Sequence, residues 1–381
     1  MPDTLILTDR AAVARFAAEM AKETVVAVDL EADSMHSYQE KVCLLQFTTP
    51  NQTLLIDPLA VDDLSPLAPV LANPAIRKLF HAADYDIRCL SRDFGFSVRG
   101  LFDTMIASQF LGEEKVGLAD ILGKYFGVTL DKQFQRADWS QRPLSGEMIR
   151  YAAEDTRHLH GLAELLEGRL REKGRLEWVA EEFALLEQVR FADNDGPLFL
   201  RAKGAGTLDR RQLAILEELL QWREAEAKRR DRPPFKVLGG AQLLEVARKA
   251  PKTLEELAAV EGLFTKLVER FGKKLLAAVA AGLAVPAERL PVYPRTPRQE
   301  KDPAVDKRMT TLKAWRKQRA EALEIDPGVL INNGLLESLA RQVPQTPAQL
   351  EQVAGLKNWQ RRELGEEILN VLRGGGGICE E

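Results

Sequence analysis

The sequence predicts a mixed α/β layer domain in its first half and an all-helical second half. Three observations carry that prediction. A β-branched apolar run at 25–28 leads into Asp29 and Glu31 and reads as a buried strand. Up to about residue 191, short apolar runs come first and helix-period segments follow with some alternation, the pattern of a sheet layered with helices. Beyond residue 206 nearly every segment has helical period, and two stretches of it match each other.

Taken in order, residues 10–23 form an Ala-rich helix candidate, with Thr8 or Asp9 as its cap. The strand at 24–31 follows. The runs at 42–48 and 52–56, separated by Pro50-Asn51, read as neighbouring antiparallel strands. A helix is expected at 64–71 and a short buried strand at 77–80. In His81-Ala82-Ala83-Asp84-Tyr85-Asp86 a helix begins, with Asp84 as N-cap and Asp86 in the first turn, where the helix dipole favours an ionised carboxylate. Leu101-Phe102-Asp103-Thr104 is expected to open another helix through about Leu111, with Asp103 as its cap. Residues 118–126 are helical, 127–132 leave that helix as a loop, and the loop continues through Trp139 and Pro143. Ser145 caps a further helix that carries Tyr151 and Asp155 four residues apart, hence on one face. Residues 176–191 are the last helix of this half.

Breaks at 193–197 and at Gly204-Ala205-Gly206 end the first domain, placed at 1–195. Two helical domains follow at 207–285 and 304–374. They flank a stiff proline-rich linker at 286–303, and a flexible tail occupies 375–381. The two helical domains match at a constant offset of 93 residues without a gap: Trp222 with Trp315, Arg223 with Arg316, Pro234 with Pro327, Gly262 with Gly355. Trp222 and Trp315 read as core anchors rather than base-stacking platforms. The first repeat carries Lys228, Arg229 and Arg230, where the second has Glu321, Ala322 and Leu323. The first is therefore the candidate for phosphate contacts, and a solvated helix end is the equal alternative.

The totals exclude several classes. With 53 Lys and Arg against 57 Asp and Glu, the net charge of −4 argues against nucleic-acid binding over the whole surface but permits a local basic patch. Cys43, Cys89 and Cys379 are few, odd in number and far apart, which speaks against a disulfide framework or a zinc site and for a reducing compartment. No secretory leader and no 18-residue apolar run is evident, so no membrane span is expected.

The chemistry lies in three separated stretches. Asp29 and Glu31, two apart on a strand, project to one face. Asp86 starts a helix, and Asp155 shares a helix face with Tyr151. Paired carboxylates in a half-buried place need a positive partner, and hard oxygen ligands suit magnesium or manganese. Four such acids can hold two divalent ions about 4 Å apart, the arrangement for in-line phosphodiester hydrolysis. Tyrosine, with a reference pKa near 10, is a poor base but can orient a water.

Here the chain resembles the ribonuclease D family of DEDD-type 3′→5′ exonucleases, in its tyrosine-containing branch. The resemblance rests on Val28-Asp29-Leu30-Glu31, His81-Ala82-Ala83-Asp84-Tyr85-Asp86 and Tyr151-Ala152-Ala153-Glu154-Asp155. Cys43-Leu44-Leu45-Gln46, Leu55-Ile56-Asp57-Pro58, Val128-Thr129-Leu130-Asp131-Lys132 and Arg142-Pro143-Leu144 support it. The helical repeats resemble HRDC domains. His81 departs from the Asn often found in the family's second motif. The resemblance implies a ribonuclease H-like exonuclease fold, a mixed sheet with three antiparallel strands and helices on both faces, followed by two all-α HRDC-type domains. It implies Asp29, Glu31, Asp86 and Asp155 as ligands of two Mg2+ or Mn2+ ions and Tyr151 as the residue that positions water. Gln46 and Lys132 are expected to help position substrate, and Met35 and His36 to line the terminal-nucleotide pocket, with a plain surface loop as the equal alternative for those two. The implied substrate is RNA with a free 3′ end, such as a tRNA precursor, cut to nucleoside 5′-monophosphates by a cytoplasmic monomer with no protein partner. A DNA 3′→5′ exonuclease, which the same metal site would serve, is the enzymatic alternative. A non-catalytic RNA-binding scaffold is the other, and the complete set of four acids and tyrosine speaks against it. The repeats are expected to add affinity rather than chemistry.

Overall fold

The computed structural model describes residues 5–192, 195–294 and 302–374. The described residues of Met1–Ala32, Val42–Phe191 and Glu300–Glu381 form one compact unit, and those of Asp33–Lys41 and Ala192–Gln299 form another. Among them no helix is long and apolar enough to cross a membrane.

The first unit begins with β1 (Leu5–Leu7) and α1 (Arg10–Met20), whose cap is Asp9, its carboxylate accepting from the Ala12 amide at 2.8 Å. Then come β2 (Val25–Ala32), β3 (Val42–Thr48), β4 (Thr53–Ile56), the short helix α2 (Ala68–Ala72) and β5 (Arg77–Phe80). The chain continues with α3 (Asp84–Phe94), β6 (Leu101–Asp103), α4 (Thr104–Phe110), α5 (Leu118–Phe126), α6 (Gly146–Arg157), α7 (Leu159–Glu172) and α8 (Leu176–Leu186). The sheet runs β1-β4-β3-β2-β5-β6. β2, β3 and β4 pair antiparallel, whereas β1–β4, β2–β5 and β5–β6 are parallel. Helices cover both faces. Phe16 of α1 meets Phe47 edge-on at 6.0 Å on one face, and Thr156 of α6 meets Thr48 at 2.7 Å on the other, since neighbouring strand residues point oppositely.

One local expectation is corrected and one is extended. The helix capped by Asp103 starts at Thr104 as expected, and Leu101–Asp103 before it also pairs with β5 as the edge strand β6. Asp84 is not the cap of α3 but its first residue; the cap position is Ala83, which makes no side-chain cap bond. The Asp103 carboxylate takes over that task. It accepts from the amides of Ala82 (3.1 Å) and Ala83 (2.8 Å) before α3, and from Met105 and Ile106 in the first turn of α4. Ala82 stands at φ 66°, in the left-handed region that costs an L-residue about 1–2 kcal/mol, and these bonds hold it there.

The second repeat belongs to the same unit as the sheet. It comprises α14 (Pro303–Ala322), α15 (Pro327–Leu330), α16 (Asn333–Gln342), α17 (Pro347–Glu351) and α18 (Asn358–Leu372), with α9 to α13 assigned to the first repeat below. Its core is continuous with that of the sheet domain. Trp359 stacks on Trp178 of α8 at 4.9 Å and meets Phe110 edge-on at 5.5 Å. The Glu181 carboxylate accepts from the amides of Asn358 and Trp359, and the Lys357 ammonium pairs with Glu182.

In the second unit, α9 (Arg210–Arg230), α10 (Pro234–Val237), α11 (Gly240–Lys249), α12 (Leu254–Ala258) and α13 (Thr265–Ala284) enclose their own core. Trp222 packs in it against Phe271 at 5.3 Å, and Trp315 is buried in the other repeat, so both act as core anchors. Part of the proline-rich stretch expected as an exposed linker folds back on this unit. Tyr293 packs near Phe199, and the Arg210 guanidinium donates to the Leu290 carbonyl. The rest of that stretch, 295–301, and the expected tail at 375–381 lie outside the described residues.

Candidate active site

The parallel pairing of β2 with β5 places the C-terminal ends of both strands on one sheet edge. Asp29 and Glu31 sit in the C-terminal half of β2, and α3 starts beyond β5 with Asp86 in its first turn. Helix α6 lies across the same face of the sheet. Ser145 caps it, accepting from the Met148 amide at 3.2 Å. Asp155 and Tyr151 project from it one turn apart.

The acids from the three stretches converge. Carboxylate oxygens of Asp29, Glu31 and Asp155 all lie within 4.8 Å of one another. Asp86 is buried, and its carboxyl is hydrogen-bonded to that of Asp29. Each group is pushed toward its protonated form. Burial, then the Asp86 charge, raises Asp29 well above the usual carboxylate range. Burial followed by Asp29, Asp155 and Asp86 does the same to Glu31. Burial pushes Asp86 up to about 7, although its own amide and that of Leu30 donate to it. Burial and the Asp29 charge push Asp155 up to about 8. Burial and the charges of Asp155, Glu31 and Asp29 raise the Tyr151 phenol, so its hydroxyl stays protonated at neutral pH.

Aromatic neighbours clamp Tyr151. Phe134 meets its ring edge-on at 5.8 Å, and Trp139 lies tilted against it at 6.0 Å. Trp139 is held in turn by Arg142. That guanidinium forks onto Asp57 with 2.6 and 2.7 Å bonds and donates to the carbonyls of Cys43 (2.8 Å) and Trp139 (2.7 Å). Two cavities border Tyr151 and Asp155. One of about 380 Å³ is lined by Leu130, Phe134, Glu147 and Arg150, within the range of ligand pockets of roughly 300–1,000 Å³. A smaller one of about 110 Å³ is lined by Asp120, Lys132 and Gln135.

The remaining expected site residues are dispersed. Lys132 lines the smaller cavity together with Tyr151 and Asp155. Gln46 is fully buried on β3, directly opposite Asp29. Met35 is exposed and His36 lies in the turn whose amide donates to the Asp33 carbonyl; that loop groups with the second unit, so neither is described with the carboxylates. Lys228, Arg229 and Arg230 end α9 in the second unit. There Arg229, Arg230 and Lys274 gather on buried Glu226, whose carboxyl they hold down to about 2. His81 bonds through Nδ1 to the Thr104 hydroxyl at 2.9 Å and donates to the Val116 carbonyl; it supports the turn before α3. The roles of Arg142, Phe134 and Trp139, and the second task of Asp103 at the turn before α3, were missed, because each acts through a partner in another segment that no short motif displays.

Divalent cations fit this donor set. Four oxygen donors crowd together with no cationic side chain among their main influences, and each is driven toward neutrality in consequence. Hard cations would restore their charge.

Comparison with known proteins agrees with this geometry. A 3′-5′ exonuclease family model matches residues 5–171, and an HRDC domain model matches 212–279 and 306–372. The chain is 32% identical to ribonuclease D of Granulibacter bethesdensis over 98% of its own length and 93% of that protein's. It is also 32% identical to ribonuclease D of Acidiphilium cryptum, over 98% and 94% of the two chains. The crystal structure of Escherichia coli RNase D, an exoribonuclease involved in structured RNA processing, superposes with a TM-score of 0.75 at 28% identity, covering 97% of this chain and 99% of that one.

Proposed function

The chain belongs to the ribonuclease D family of 3′→5′ exoribonucleases, and from that premise we propose that it trims RNA 3′ ends to nucleoside 5′-monophosphates through a two-metal-ion site. The observation that carries this reading is the meeting of Asp29, Glu31, Asp86 and Asp155 from three separated segments, with Tyr151 one turn from Asp155. These four acids would hold two Mg2+ or Mn2+ ions. When bound, the ions supply Lewis acidity that activates water and neutralises charge developing on the phosphate.

The chain's own residues do the rest. Tyr151, protonated and clamped by Phe134 and Trp139, orients the attacking water through its hydroxyl and takes no proton itself. Lys132 offers positive charge to the phosphate from the cavity beside Asp155. The larger cavity, with Leu130 and Phe134 as its apolar walls, receives the terminal nucleotide. The substrate class is RNA with a free 3′ end, tRNA precursors included, and the enzyme acts as a cytoplasmic monomer. Lys228, Arg229 and Arg230 are the candidates for backbone contacts further along the RNA.

Matched 3′- and 5′-labelled RNA and DNA oligomers, digested with and without EDTA, test this reading. Mononucleotide release from the 3′ end of RNA that stops in EDTA is expected. Preference for DNA, or cleavage in EDTA, overturns it. Asp155→Asn should lower kcat roughly a thousandfold, the loss of about 4 kcal/mol at tenfold per 1.36 kcal/mol, and leave the circular dichroism spectrum unchanged.

A further inference from the structure

Gln46 is a buried side chain whose needs the protein does not meet. It is 0% exposed, and both its amide nitrogen and its amide oxygen lack a protein partner. Among the described residues no other side chain has a donor and an acceptor orphaned together. Buried polar groups are ordinarily satisfied, so an orphaned carboxamide points to a partner outside the protein.

Its place in the fold identifies that partner. β3 pairs with β2 so that Gln46 stands directly opposite Asp29, which puts the two side chains on the same face. Two residues along, Thr48 bonds to Thr156 of α6, the neighbour of Asp155, so the helix bearing Asp155 roofs this face. The flanks are apolar: Leu44 on β3 and Leu55 on β4, opposite Gln46, pack with Ala152 of the roof. Packing alone would be met by a side chain of the same shape without polar atoms, and at lower desolvation cost.

We propose that Gln46 is a positioning residue for the metal-binding carboxylates: its amide, through one bridging water, donates to the Asp29–Asp155 side of the cluster and fixes those oxygens in their coordinating orientation. The chemistry of the carboxamide suits the task. It provides N–H donors without positive charge, so it orients the acids without competing with a cation as Lys or Arg would. One water with two to four polar partners can join groups that do not touch. The inference rests on the metal-site reading above.

Gln46→Met tests it, with Mn2+ as the probe. Two quantities are measured: the Mn2+ dissociation constant by calorimetry, and the melting temperature in EDTA. The expected result is Mn2+ binding weakened roughly ten- to a hundredfold, with a metal-free melting temperature equal to or above wild type. The Mn2+ concentration for half-maximal activity should rise by a similar factor. Wild-type Mn2+ affinity in the variant overturns the proposal, whether or not the melting temperature falls. Gln46→Leu repeats the measurement if the Met variant does not fold. Failure of the wild-type protein to bind Mn2+ at all would instead overturn the metal-site reading itself.

Discussion

At the scale of single residues, the acid cluster dictates how stability follows pH. Asp86 is pushed up to about 7 and Asp155 up to about 8, against a usual carboxylate value near 4. Folded protein without metal therefore keeps protons that the unfolded chain releases near pH 4. The folded state binds more protons, so its stability falls as pH rises from about 4 through about 8. The melting temperature in EDTA should drop across this window, and saturating Mn2+ should raise it more at pH 8 than at pH 5. Asp155→Asn should flatten the EDTA profile. A flat wild-type profile would show that the carboxylates carry no such strain. The acids themselves were legible as motifs, because spacing of two on a strand and four on a helix sets which face they share. Gln46 was legible only as a candidate for substrate; its pairing with Asp29 depends on strand register, which the sequence does not state.

At the scale of elements, the sheet order was partly legible and the caps only half so. β5 and α5 fall where the apolar pattern places them. β6 was hidden, because three residues cannot display a period of two and the Asp-Thr pair after them looks like a helix start. Asp103 is a cap, as expected, but it serves two elements. One oxygen accepts from Ala82, Met105 and Ile106, and the other accepts from Ala83. Asp103→Asn would keep the first oxygen and set an amide N–H2 against the Ala83 N–H. Losing that bond and opposing two buried donors should cost about 1–3 kcal/mol, measured by urea unfolding. Since this turn carries Asp86 into place, the variant should also need more Mn2+ for half-maximal activity. An unchanged unfolding midpoint would show that the Ala83 bond contributes nothing. The Arg142 fork onto Asp57 has a similar place in the logic of the site: it anchors the loop that sets Trp139 against Tyr151.

At the scale of the molecule, the two repeats share a helix plan but have divided its uses. α10, α11 and α12 recur as α15, α16 and α17 at the same offset of 93, and both repeats turn through a left-handed residue, Ala250 and Val343. One ion pair has changed sign between them: Glu226 with Lys274 in the first repeat stands where Arg319 with Glu367 stands in the second. The exchange decides the fate of the neighbouring tryptophans. Trp315 donates its indole N–H to Glu367 at 2.8 Å, whereas Trp222, beside the position of Lys274, has no acceptor. The second repeat lacks the basic helix end and joins the core of the sheet domain, with Trp359 stacked on Trp178. Composition could not reveal that docking, because Trp359 and Glu181 are each ordinary helix residues in their own segments. Removing residues beyond 300 should therefore uncover Trp178 and Phe110 and destabilise the catalytic unit, contrary to the simple view of repeats as added affinity. Trp359→Ala isolates the effect: it should destabilise that unit by roughly 3–5 kcal/mol and leave cleavage of short RNA intact well below the new melting temperature. If that variant melts like the wild type, the second repeat is an independent body, and its shared core contributes nothing to the nuclease.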